Sequence, residues 1–179
     1  MTTTEASQQT GLTGEYADLH EQLAHQRHFL RFTTRDLTDE QAGLRTTASE
    51  LCLGGLIKHV TAVERVWVAF ARGDHGAMEW DPEDTTAMAE RDAEFRMLPG
   101  ETLAEVIGAY EAVAADTDEL LASRPDLDEA HPLPEAPWFE KGKAWSTRRV
   151  LLHIAAETAQ HAGHADIIRE ALDGAKSMG

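Results

Sequence analysis

The sequence predicts an all-α protein, a four-helix bundle whose longer connections are crossover loops. Four stretches repeat apolar residues at intervals of three and four, the period that lines one face of an α-helix. All six prolines (Pro82, Pro99, Pro125, Pro132, Pro134 and Pro137) fall between those stretches. No alternating apolar and polar run demands a strand. Amphipathic helices of this kind are stable only when each apolar stripe is buried against its neighbours, which favours an up-down bundle, although the long loops also permit crossovers.

The first helix is predicted over Gly14 to Leu37, with Tyr16, Leu19, Leu23, Leu30 and Leu37 on one face. Thr38-Asp39-Glu40-Gln41 has the form of a capping box and starts a short helical turn. Ser49 is the expected N-cap of the next helix, which carries Leu53, Leu56, Ile57, Val60, Val63, Val66, Trp67 and Phe70 and stops at Gly73. From Asp74 to Gly100 the periodicity gives way to a long connection with one helical turn near Thr85 to Phe95. Thr102-Leu103-Ala104-Glu105 offers a second capping box, opening a helix that runs to Ser123. Arg124 to Ala144 holds four of the prolines and reads as a crossing loop. The last helix starts near Ser146 and ends at Gly174, a residue suited to the left-handed C-cap. The expected organisation is a flexible tail over 1–13, one bundle over 14–174 and a short tail over 175–179.

Thirty-two acidic against sixteen basic residues leave a net charge of -16. Such a surface repels phosphate backbones and anionic membranes, so neither nucleic acid nor a membrane is an expected partner. No run approaches the roughly 20 apolar residues of a membrane span, and Met1 to Gly11 lacks an apolar signal core. A cytoplasmic setting is expected. The single cysteine, Cys52, lies between leucines and reads as a buried structural thiol.

Chemistry enters through polar residues on apolar stripes. The last helix reads Val150, Ile154, Glu157, His161, Ala165 or His164, Ile168, Leu172 along its apolar face. A carboxylate on such a stripe asks for a partner, because burying it unpaired costs several kcal/mol. Glu157 and His161 stand one turn apart, so both side chains reach one point. On the second long helix the stripe Cys52, Leu56, His59, Val63, Val66, Phe70 is likewise broken by an imidazole. If the two seams face each other, His59, Glu157 and His161 make a two-histidine, one-carboxylate triad for a divalent metal, with positions left open as in catalytic sites. The same residues also fit an exposed glutamate and core histidines bonded to backbone.

The stretch from Leu151 to Glu170, LLHIAAETAQHAGHADIIRE, resembles the last helix of a DinB-like subfamily that includes actinobacterial mycothiol-dependent transferases. Leu53 to Glu64, LGGLIKHVTAVE, resembles that subfamily's second helix. The likeness extends from about Tyr16 to Gly174. It implies a DinB-like four-helix bundle with a metal, usually zinc or nickel, on one histidine of the second helix and a pair four apart on the last. Those positions are His59, Glu157 and His161 here. Many DinB-like proteins have histidine at the position of Glu157. The glutamate form resembles mycothiol-dependent maleylpyruvate isomerases, and a carboxylate shifts the preference towards zinc or harder ions.

His164, three beyond His161, reads as an alternative ligand, a proton shuttle or catalytic acid/base, or equally a packed histidine. His153, one turn before Glu157, could pair with it instead, but reaching His161 as well would need about 12 Å of rise, so it reads as a group touching the ligands or as a capping group. His20, His25 and His28 read as surface residues, and His75 and His131 as loop histidines able to close over a ligand. Asp166, Arg169 and Glu170 read as a structural charge cluster. Trp80, Trp138 and Trp145, in or beside the long loops, read as pocket walls for a cofactor or as small satellite cores.

The resemblance implies a metal-dependent S-transferase that adds a low-molecular-weight thiol such as mycothiol to a small electrophile, and a possible homodimer. Maleylpyruvate isomerisation is not expected, since those relatives carry a further C-terminal domain. The alternatives are a hydrolase using water on the metal, with His164 or Glu64 as base, and a non-catalytic metal- or ligand-binding stress protein.

Overall fold

A computed structural model describes residues 11–79, 81 and 83–177. Its helices in chain order are α1 (Glu15–Phe32), α2 (Asp39–Gly43), α3 (Leu53–Ala71), α4 (Thr85–Glu94), α5 (Leu103–Ala122) and α6 (Thr147–Asp173), with a 3-10 turn at His75–Met78. Four are long, as the periodicity predicts. Both capping boxes form: Thr38 and Gln41 exchange backbone and side-chain bonds, as do Thr102 and Glu105. Ser146 caps α6 by accepting from the Arg149 N–H, and Gly174 ends it with φ 79°.

Two boundaries differ from the predicted ones. Helix α1 stops at Phe32 rather than Leu37, because the hydroxyls of Thr33 and Thr34 donate back to the carbonyls of Leu30 and Arg31 at 2.7 Å each, and Asp36 turns the chain with φ 58°. Helix α3 starts at Leu53 because Ser49 Oγ accepts from the Leu51 N–H, closing a local turn, and Cys52 takes the extended cap position instead. A third difference is a small sheet: β1 (Ala130–Pro132) pairs antiparallel with β2 (Ala144–Ser146), His131 opposite Trp145. Three-residue strands are too short to show alternation, and Pro132 in β1 reads only as loop.

Contacts along the helices fix their directions. Arg148 bonds Glu15 where α6 and α1 begin, and Arg169 donates to the carbonyls of Thr33 and Arg35 beyond the end of α1, so these two helices run parallel. Lys58 meets Glu101, and Arg72 donates to the carbonyl of Asp116, so α3 and α5 also run parallel. His59 faces His161 while Trp67 faces His153, which makes α3 and α6 antiparallel. A parallel neighbour cannot be reached by a short hairpin. The connection over 72–102 therefore crosses the bundle, as the crossover reading expects and a simple up-down order does not. Among the described residues, no helix is long and apolar enough to cross a membrane.

Two apolar clusters fill the bundle. One gathers Trp67, Phe70, Leu121, Leu151 and Ile154, the other Leu30, Leu53, Ile57, Tyr110 and Ile168. Buried polar groups lie along α3 among these apolar residues. Glu64, wholly buried, accepts from Arg27 Nη2 and from Thr117 Oγ1 at 2.5 Å, and Arg27 Nη1 reaches Asp118 at 2.7 Å. Glu64 is five residues past His59, about 140° round the helix, so it turns to α1 and α5. That excludes it as the base proposed from sequence.

A buried ion pair contributes little net stability, but breaking one side leaves a buried charge alone. Arg27→Met should therefore destabilise the metal-free protein by about 3–5 kcal/mol, and adding Glu64→Leu should recover most of that loss. Urea unfolding of wild type, single and double variants checks both.

Candidate metal centre

The seam between α3 and α6 brings together the two stripes that the sequence broke with polar residues. His59 is 7% exposed on α3, and His161, 9% exposed, meets it edge-on with ring centroids 4.9 Å apart. Glu157, one turn before His161, places Oε2 3.6 Å from His161 Nε2. One potential ligand atom from each of His59, Glu157 and His161 lies within 4.8 Å of the other two, and among the described residues no other such group of three forms.

The environment favours neutral imidazole. His161 is pushed down from its ordinary 6.5 to about 4, chiefly by burial and then by the adjacent His59 and His164, with Glu157 opposing. His153 is also lowered, first by burial, with Arg149 adding to it and Glu157 opposing. A metal ligand must present an unprotonated nitrogen. The imidazoles of His59 and His161 and the carboxylate of Glu157, converging from two helices, are a donor set that fits a divalent ion and leaves coordination positions open.

Around the three lies a ring of partners. His164 sets Nδ1 3.5 Å from Nδ1 of His161, so it touches that ring rather than joining the group of three. His153 Nε2 is 3.9 Å from Glu157 Oε1. Glu94, at the end of α4, places Oε2 3.2 Å from His59 Nδ1, and Phe95 stacks on the His59 ring at 4.1 Å. Sequence reasoning missed these last two. A helical turn was legible over 85–95, but no spacing rule connects it with His59, 35 residues away.

The aromatic wall starts at His153, which stands edge-on to Trp67 at 4.7 Å and Trp145 at 5.1 Å, while those two indoles stack 4.7 Å apart. Trp145 in turn lines a cleft of about 460 Å³ with Trp138, Phe139, Leu133, Lys143 and Arg149. Trp138 is 55% exposed at its edge, Arg91 of α4 lies 5.9 Å from its ring, and Arg149 lies 4.7 Å from the Trp145 ring. Trp80 falls outside the described residues. Trp67, not singled out as a wall from sequence, joins Trp145 to the core.

The remaining candidates sit elsewhere. His25 and His28 are exposed beside Phe29, but His20 is half-buried with Nε2 3.7 Å from Asp118, so it is not a plain surface residue. His75 and His131 pair with each other, Nε2 to Nδ1 3.2 Å, against Phe70. Phe70 is about 16 Å along α3 from His59, so they do not close over the triad. Arg169 is buried and pairs with Asp173, Glu170 meets Lys176, and Asp166 accepts from the Ser177 N–H; all three are structural. Cys52 is buried, as expected, with Sγ 3.7 Å from the Phe95 carbonyl.

A family model described as Mycothiol-S-transferase matches residues 18–174, a span that contains His59, Glu157 and His161. No curated protein matches the chain. Among solved structures, a crystal structure of a conserved protein from Enterococcus faecalis is similar over 92% of this chain and 100% of its own, at 13% identity and TM-score 0.67. At that identity the likeness is one of fold.

The depressed His161 has a consequence for the metal-free protein. Between about 6.5 and 4 the unfolded chain binds a proton that the folded site refuses, so stability rises with pH across that window and this contribution flattens above it. Replacing His161 by Gln should reduce the slope of the urea midpoint between pH 5 and 6.5, while His25→Gln should leave it as in wild type.

Proposed function

The chain belongs to the mycothiol-S-transferase family, one of the DinB-like families, and from that premise we propose that it is a metal-dependent transferase joining a low-molecular-weight thiol, mycothiol first, to a small electrophile. The observation that carries this reading is the convergence of His59, Glu157 and His161 within 4.8 Å. In this reading those three residues hold the ion, zinc by preference and nickel as the other choice. A bound divalent cation supplies positive charge that keeps a thiol sulfur ionised near neutral pH.

The chain's own residues do the rest. His59 and His161 offer ring nitrogens, and Glu157 offsets part of the cation's charge while its second oxygen faces His153. Trp67 and Trp145 stack on each other beside His153, and Trp138 walls the cleft that Trp145 lines. Arg149, stationed over Trp145, attracts an anionic part of either substrate to a chain that is otherwise strongly negative. The sulfur's electron pair forms the new S–C bond. A leaving group on that carbon departs with its bonding pair, or, where the electrophile is a double bond, the adjacent carbon takes a proton, for which His164 is the nearby candidate carrier. No residue of the protein is covalently modified. A cytoplasmic homodimer belongs to the same reading.

The test is turnover of a model electrophile by zinc-loaded protein, with and without thiol. Turnover that requires thiol is the expected result; turnover without it points to hydrolysis, and ligand binding without turnover to a sequestering role. His59→Ala and His161→Ala should each abolish metal retention, measured by elemental analysis, together with thiol-dependent turnover. His25→Ala should preserve both.

A further inference from the structure

The ring of His59 is held on two sides by the connection that crosses the bundle. Glu94 Oε2 lies 3.2 Å from Nδ1, and Phe95 stacks on the ring at 4.1 Å with the planes 27° apart. Glu94 is not one of the three groups whose ligand atoms cluster. It meets His59 at Nδ1.

This return of the chain is built into α3. Gly55, one turn before His59, has no side chain where a Cβ would lie 2.1 Å from the Phe95 carbonyl oxygen, so only glycine admits that backbone. Lys58 Nζ donates to the carbonyls of Ala93 at 3.2 Å and Arg96 at 2.9 Å, and to both Glu101 oxygens at 2.8 Å. Helix α4 buries none of its own residues, and a ten-residue helix has little stability by itself. Its last turn is therefore placed by Gly55 and Lys58, and what it delivers to the bundle is Glu94 and Phe95 against His59.

A carboxylate on one imidazole nitrogen keeps the proton there, leaves the other nitrogen's lone pair for an ion, raises its basicity and stops the ring rotating. We infer that Glu94 is a positioning residue of the metal centre, holding His59 with Nε2 presented to the ion, and that Lys58 and Gly55 act on the same ring by seating the end of α4. The inference rests on the reading of His59 as a ligand.

Cobalt(II) titration, followed by its visible absorption bands and by competition with a chelator, tests it on the full chain. Glu94→Ala should lower affinity by about 10–100-fold and shift the bands without changing the number of protein ligands. Glu94→Gln, which retains an acceptor oxygen, should fall between Glu94→Ala and wild type. The metal-free melting temperature should stay as in wild type, since Glu94 is half-exposed. If Glu94→Ala binds cobalt as wild type does while His59→Ala fails to, the role of Glu94 is overturned and the centre stands. A loss of affinity matched by a fall in metal-free melting also overturns it, as the effect is then one of folding. If His59→Ala binds as well as wild type, the centre itself is misassigned and the inference falls with it.

Discussion

The structure depends on one contact, the seam where α3 and α6 cross with His59 against His161. Imidazoles and a carboxylate in an apolar interface cost free energy unless each polar atom is satisfied. The bundle surrounds this cost with apolar packing: Leu56, Ile57 and Val60 on α3 and Ile154, Ala162 and Ala165 on α6 are all buried around it. Packing on both sides holds the rings in place. Burial also keeps His161 neutral, the form that a cation requires.

A few residues along α3 the same chain handles burial in the opposite way. Glu64 is matched by Arg27 and Thr117, so its charge is paired within the protein. The two sites share a helix but differ in what they leave over. One is an ion pair completed by neighbours on α1 and α5. The other gathers three donors with no cationic side chain among them, on the side of α3 that faces α6. Glu64 is thus taken up by the fold, while Glu157 stands in the group of three donors.

Much of this was legible in the sequence because helical period and cap chemistry are local. Thr38, Thr102, Ser146 and Gly174 mark real helix ends, and the interruptions at His59, Glu157 and His161 are visible once each stripe is traced. What periodicity specifies is a face, and it does not say which faces meet. The parallel run of α3 and α5 follows from a connection whose length is visible but whose path is not. The β1–β2 pair is set by a register between segments with no strand pattern of their own. Glu94 is the clearest case: an ordinary glutamate on an exposed helix, it gains its role only because Gly55 and Lys58, 35 or more residues earlier, bring the chain back. Family resemblance narrowed which faces meet, and for that reason the triad was nameable while its surroundings were not.

The division of labour between helices and connections follows from the same geometry. Side chains on α3 and α6 are fixed by packing along their whole length, so the three donors sit on the most rigid part of the molecule, where a displacement of an ångström is resisted by the core. The groups that frame them come from the crossovers: Glu94 and Phe95 from one, Trp138, Phe139 and Trp145 from the other. These crossovers approach each other where the Arg91 guanidinium lies 5.9 Å from the Trp138 ring.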